Sequence, residues 1–252
     1  MMRAWFHAVT AVDRDIVRAY ALGGGIGSAP NEPSEDFFGW DQESGLLVSA
    51  AGVGHADGHL ETYLDAAPLS RAFVESAIAS ATAAPLFDVV HAGVRAMKTI
   101  VERPPSHRFL GTAIEVAALR FQPDGRIQVA QQGAQALYRR REGSTERLIR
   151  LGTVGDEYGP QPHPMADELV FRLILNNGDG LQELATLSLD WQPGDRFLLT
   201  TRGVHPYVDE ATIDGCLGLE PDAILPALLT AVRQTPQRRK QPSAAALVVE
   251  AA

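Results

Sequence analysis

Residues 192–204 read Q-P-G-D-R-F-L-L-T-T-R-G-V. Pro193, Gly194 and Asp195 are turn formers, Arg196 to Thr200 is a short run rich in β-formers, and Thr201, Arg202 and Gly203 close it in a tight polar corner. A strand of this kind delivers a short polar loop to one end of a sheet. The reading of that loop, and of Arg202 within it, decides what the rest of the chain is compared with.

Working outward, Ser34, Glu35, Asp36, Phe37 and Phe38 precede a polar turn at residues 41–45, and an apolar strand, Leu46 to Ala51, ends in Gly52, Val53 and Gly54. This spacing predicts a hairpin. Gly111 and Thr112 open a second apolar strand from Ala113 to Phe121, with a turn at 123–125 and a return over Arg126 to Ala130. Ala136 to Arg141, a turn at 142–144, and Glu146 to Leu151 follow. The last strand is Ala246 to Val249.

These stretches, in this order, resemble the metal-dependent type 2C (PPM) serine/threonine protein phosphatases. In that family the 192–204 stretch reads Pro-Gly-Asp, several apolar residues, then Ser-Asp-Gly. An early Glu-Asp pair precedes a strand ending Ala-Asp-Gly, and later strands open with Gly-Thr-Thr and Val-Gly-Asp-Ser-Arg. Glu35 and Asp36 match the Glu-Asp pair, and Pro193, Gly194, Asp195, Gly203, Gly111, Thr112, Gly133, Tyr138, Arg139 and Gly143 match turn and strand positions. Ala51 stands where the family has its metal-bridging aspartate, beside the retained Gly52. Asn31 stands in place of the phosphate-binding arginine, Ala134, Gln135 and Ala136 in place of Asp-Ser-Arg, Pro242 near the final Asp-Asn, and Arg202 in place of the metal-binding aspartate.

The resemblance implies one α+β domain over residues 1–252, a sandwich of two mostly antiparallel sheets flanked by helix pairs. It implies a degenerate member, because the family's chemistry needs two divalent ions held by hard carboxylate oxygens to activate a bridging water. At about 4 Å a unit positive charge repels a dication by roughly 8 kcal/mol at an effective dielectric near 20. Arg202 is therefore expected to exclude the metal and to pair with Glu35 or Asp36. On this reading the chain is a pseudophosphatase without cofactor, a protein-binding module in phosphorylation signalling whose partner is a Ser/Thr kinase or phosphoprotein. Arg202 and the run Arg139, Arg140, Arg141 are its candidate phosphate contacts, since guanidinium groups bind phosphate bidentately. The bland reading of that run is a solvated hairpin.

Two alternatives stay open. His55, Asp57 and His59 alternate and would converge on one side of an extended segment, forming a rebuilt Mn or Mg site for an active phosphatase, although a polar loop also accounts for them. A structural subunit of a larger assembly is the third reading.

Composition excludes more than it identifies. With 252 residues, 45% hydrophobic and 21% charged, the chain can bury a full core. A net charge of -9 leaves no basic face for nucleic acid. The single cysteine, Cys216, suits a reducing compartment. No apolar run nears the ~18 residues of a membrane span, and residues 1–15 make a poor signal peptide, so a cytoplasmic location is expected. Apolar residues at three- and four-residue spacing predict two helices within 61–101, separated at Pro85, and two more over 208–217 and 221–233. Residues 23–30, GGGIGSAP, are expected to be a loop. Residues 168–175 and 184–189 are read as short strands.

Overall fold

The computed structural model describes residues 4–8, 20–26, 35–41, 43–53, 66–81, 84–102, 113–122, 124–133, 135–149, 174–175, 184–205, 207–235 and 244–250. Twelve strands and four helices are described. In chain order they are β1 (Ala4–Ala8), β2 (Tyr20–Ile26), β3 (Asp36–Asp41), β4 (Leu46–Val53), α1 (Ala66–Ala79), α2 (Leu86–Val101), β5 (Ala113–Phe121), β6 (Arg126–Gln132), β7 (Ala136–Arg141), β8 (Ser144–Arg147), β9 (Ile174–Leu175), β10 (Ala185–Asp190), β11 (Arg196–Thr200), α3 (Glu210–Leu217), α4 (Pro221–Gln234) and β12 (Ala244–Glu250).

The strands form two antiparallel sheets. One runs β1-β2-β12-β11-β7-β8, and the other runs β10-β6-β5-β4-β3 with β9 added on β5. Strand period two sorts the side chains into three cores. Leu47, Ala117, Leu119, Ile127, Val129, Leu137, Phe197, Leu199, Leu247 and Val249 fill the space between the sheets. Val48, Ala50, Val116 and Ala118 point the other way, onto Leu69, Phe73, Val90 and Met97 of α1 and α2. Tyr138, Leu198 and Val248 likewise meet Ile213, Leu225, Leu228 and Val232 of α3 and α4. The layers are therefore helix, sheet, sheet, helix, as the resemblance implied.

Local chemistry explains the boundaries. Pro85 lacks a donor and precedes α2, whose first intrahelical bond runs from the Val89 amide to the Pro85 carbonyl at 3.2 Å. Asp209 caps α3 by accepting from the Thr212 amide at 2.7 Å. The Pro-Gly-Asp turn is structural: Gly194 takes φ +87°, and the buried Asp195 carboxylate accepts from the Gln192 amide at 2.9 Å and from Arg141 at 2.8 and 2.6 Å.

One expectation needs correcting. Gly23, Gly24 and Gly25 do not form a loop; they lie inside β2, paired with β1 on one side and β12 on the other. Ladder hydrogen bonds on both edges outweigh the entropic cost of ordering glycine, which an isolated composition argument does not see. The β7–β8 turn is also tighter than expected, with Glu142 and Gly143 both at positive φ and Ser144 already in the strand. Of residues 168–175, only Ile174 and Leu175 are described as strand. None of the helices described is long and apolar enough to cross a membrane.

Candidate functional site

β11 ends at the seam between the two sheets, and there Thr201 reaches across to β3. Its hydroxyl donates to Asp36 Oδ2 at 2.8 Å, a bond buried from solvent that ties one sheet to the other. Asp36 lies directly opposite Ala51 on β4, and Ala51 lies directly opposite Glu115 on β5. Directly paired residues share a face, so an acid, a methyl and an acid stand in a row across three strands. Glu35 precedes β3, and its carbonyl accepts from the Gly52 amide at 3.1 Å. A side chain at Gly52 would fall 2.5 Å from the Ala66 Cβ and 2.9 Å from that of Glu35, so the close approach requires glycine.

Three carboxylates thus gather at one end of the sandwich: Glu35 at 9% exposure, Asp36 at 3% and Glu115 at 0%. Burial, with the negative charges of Glu35 and Glu115, holds the Asp36 carboxyl well above the usual carboxylate range, while the Thr201 hydroxyl and the charge of Arg202 pull it back. Thr201 is in direct hydrogen-bond contact with Asp36, and the positive charge of the half-buried Arg202 also acts on it. A carboxyl held in its neutral form favours the folded state most at acid pH, and that advantage fades as pH rises through its folded value. Asp36→Asn is expected to stabilise the metal-free protein, on the order of 1 kcal/mol at pH 8, with a gain that shrinks toward pH 4. Urea unfolding at the two pH values measures it, and a gain independent of pH would contradict this account of Asp36.

Sequence reasoning missed Glu115, and the signal for it was present: a lone acid in the otherwise apolar run Ala-Ile-Glu-Val-Ala-Ala-Leu. It also missed the amides beside it. Gln135, at the crossing from β6 to β7, donates from Nε2 to the carbonyls of Glu115 at 3.1 Å and Ser49 at 3.5 Å. Gln131 donates from Nε2 to the carbonyls of Gly133 at 3.3 Å and of Gln135.

The arginine run lies elsewhere. In the β7–β11 register Thr200 faces Ala136, whereas Arg196 faces Arg140, so the run sits at the opposite end of β11 from Arg202. At about 3.3 Å per residue that separation is roughly 15 Å. Its guanidinium groups are engaged internally: Arg139 with Glu146, Arg140 with Asp214, and Arg141 with Asp190 and Asp195. The structure does not bring Arg139, Arg140 and Arg141 to one phosphate-binding site with Arg202. His55, Asp57 and His59, like Asn31, Gly111, Thr112, Ala134 and Pro242, lie outside the described residues. Among the described residues no group of three or more histidine, cysteine, aspartate or glutamate side chains is arranged to hold a metal ion.

A second buried polar group lies just past the corner. His205, 9% exposed, places Nδ1 3.5 Å from the Thr200 hydroxyl. Burial, reinforced by the charge of Arg147, pushes its pKa down to about 3. Arg147 in turn lies over the Tyr138 ring, 5.8 Å from its centre.

Neither a protein-family model nor a curated protein sequence matches the chain. Solved structures do. The serine/threonine phosphatase PstP/Ppp of Mycobacterium tuberculosis is 20% identical with a TM-score of 0.68, over 99% of this chain and 98% of that one. PppA, a key regulatory component of T6SS in Pseudomonas aeruginosa, is also 20% identical with a TM-score of 0.68, over 100% and 98%. The PPM Ser-Thr phosphatase MsPP of Mycobacterium smegmatis, solved with cacodylate, is 18% identical with a TM-score of 0.67, over 99% and 98%. At these identities the likeness is one of fold, and it spans the whole chain.

Proposed function

We propose that this chain is a pseudophosphatase: a type 2C phosphatase fold that binds a protein partner in Ser/Thr phosphorylation signalling and does not hydrolyse phosphoesters. The observation that carries the reading is the row Asp36, Ala51, Glu115 with Arg202 acting on its first member. A pair of dications bridged by water needs a carboxylate between the two ions, and the position between the acids holds a methyl group. It also needs ionised, available oxygens, whereas Asp36 is biased toward its neutral form and is hydrogen-bonded by Thr201. Arg202 adds a positive charge where the family resemblance calls for a metal-binding carboxylate. The donor set does not fit the two-ion centre, so no hydrolytic step is assigned to these residues.

Arg202 remains the candidate contact for a phosphorylated partner, a phosphoprotein or a Ser/Thr kinase. A cytoplasmic setting belongs to the same proposal, supported by the lone Cys216, which is buried and whose thiol burial pushes upward, away from the reactive thiolate.

Activity and binding are tested together. The purified full chain is assayed on a phosphoserine peptide with Mn2+ and with Mg2+, beside capture of partners from lysates with and without phosphatase treatment. The expected result is no turnover, with capture that depends on partner phosphorylation and is lost in Arg202→Ala. That variant is also expected to lose about 1 kcal/mol of stability, since the buried acids lose an opposite charge. Metal-dependent turnover abolished by His55→Ala or Asp57→Ala overturns the proposal in favour of an active, rebuilt phosphatase.

A further inference from the structure

Three turns meet at the end of the β3–β6 sheet remote from the carboxylates, and an open groove of about 480 Å³ runs between them. Ser44 comes from the β3–β4 turn, Ala81, Ala84 and Pro85 from the connection between α1 and α2, and Gln122 from the β5–β6 turn, with Arg120 and Gln128 on the strands beneath. In the β4–β5 register Leu46 faces Arg120 whereas Ala51 faces Glu115, so the groove lies roughly 17 Å from the Asp36, Ala51, Glu115 row.

The walls are fixed from within. Arg120 donates from Nη1 to the Ala84 carbonyl at 2.6 Å and from Nη2 to the Ala81 carbonyl at 3.0 Å, which ties the helix connection to β5. Asp41 holds the β3–β4 turn by accepting from the Ser44 amide at 2.9 Å and the Ser44 hydroxyl at 2.6 Å. Both terminal nitrogens of Arg120 are thus spent on backbone, whereas the side-chain amides of Gln122 and Gln128 have no hydrogen-bond partner among the described residues. A carboxamide offers a donor and an acceptor side by side, the complement of a peptide group. A small molecule calls for a site that buries about 70–90% of its surface, and an open groove instead suits a chain segment passing through.

The rim determines what kind of segment fits. Asp41, Glu43 and Asp124 flank the groove on the two hairpin turns, and the exposed Asp88 stands in the first turn of α2, just past Pro85. Arg126 is paired with Asp124 at 2.9 Å and Arg120 is turned onto carbonyls, so acidic charge is left in excess. Phe87, at 49% exposure, is the most exposed large apolar side chain described. It lies on the flank of α2 opposite the one that Ala92 and Gly93 press against α1, and so faces the side of the sheet where β6 runs. There Gln128 stands directly between Arg120 on β5 and the exposed Ser188 on β10, on a face that extends beyond α2.

We propose that this groove docks an extended, basic segment of a partner protein, its backbone on Gln122 and Gln128, its cations toward Asp88 and Asp41, and an apolar side chain against Phe87. The proposal rests on the protein-binding reading above and adds to it a contact remote from Arg202.

The test uses the full chain and a fluorescently labelled octapeptide alternating arginine with leucine, with a counterpart carrying glutamate in place of arginine, followed by anisotropy. The basic peptide is expected to bind, more weakly as salt rises, and the acidic one not to bind. Phe87→Ser combined with Asp88→Lys is expected to weaken binding by about tenfold or more. Asp222→Lys makes the same charge change at an exposed site on α4, over the other sheet, and is expected to leave affinity within about twofold. Both changes are at the surface, so both proteins are expected to fold. Failure of the basic peptide to bind, equal losses in the two variants, or equal binding of the acidic peptide overturns the proposal. Phosphopeptide turnover and Arg202→Ala in the same assays report separately on the pseudophosphatase reading: basic-peptide binding is expected to be unchanged in Arg202→Ala, and turnover would overturn that reading while leaving the groove intact.

Discussion

Between pH 6.5 and pH 3 the protein is expected to lose stability steeply, and His205→Gln is expected to remove much of that loss. The ordinary histidine pKa is 6.5, and the fold pushes that of His205 down to about 3, chiefly by burial. In this window the unfolded chain binds the proton and the folded chain does not, so stability rises with pH and is fully present only above 6.5. The separation is worth roughly 5 kcal/mol from this one group, much of the stability of an ordinary domain. Arg147 adds to it, because protonating His205 would set two positive charges against each other at the same place. Glutamine keeps polar atoms near the Thr200 hydroxyl without a titratable proton. Urea unfolding of both proteins across the window is the measurement, and parallel stability curves would show that His205 is not the group responsible. Asp36 runs in the opposite sense, so the sum is gentler than His205 alone would give, and the double variant with Asp36→Asn separates the two.

Gly133→Ala is expected to destabilise by about 3 kcal/mol, which for a domain of this size lowers the melting temperature by about 6 to 12 °C. Gly133 adopts φ +103°, outside the range that L side chains favour, and its added methyl would lie 2.6 and 2.7 Å from the Cγ and Cβ of Glu115 and 3.1 Å from its Cα. The last contact is with backbone that cannot rotate away. Gly143→Ala provides the comparison. It sits at φ +82° with nothing within 4 Å of the added Cβ, so it carries only the backbone penalty, about 1 kcal/mol. Thermal unfolding of the pair divides strain from packing. Equal losses would mean that the Glu115 side chain and backbone yield freely, and that their packing on Gly133 is looser than the geometry indicates.

The sequence by itself determined the architecture. The short apolar, β-forming runs Leu46 to Ala51 and Arg196 to Thr200, bounded by turn residues, specified strands, and three- and four-residue spacing around Pro85 specified the helix pair, because run length and period follow from backbone geometry. The substitutions Ala51 and Arg202 were likewise legible, since they stand within motifs whose turns survive. What the sequence could not give is proximity across strands. Glu115 lies 80 residues from Glu35 and Gln135 lies 20 from Glu115, and only the β3-β4-β5 register sets an acid on each side of Ala51. The same register parted Arg139, Arg140 and Arg141 from Arg202, although composition alone offered all four as cationic contacts, and ladder pairing on both edges turned three glycines into a strand. Local pattern fixes which face of a strand a residue occupies. Tertiary pairing decides what that face meets, and with it whether a buried carboxyl is held ionised or neutral.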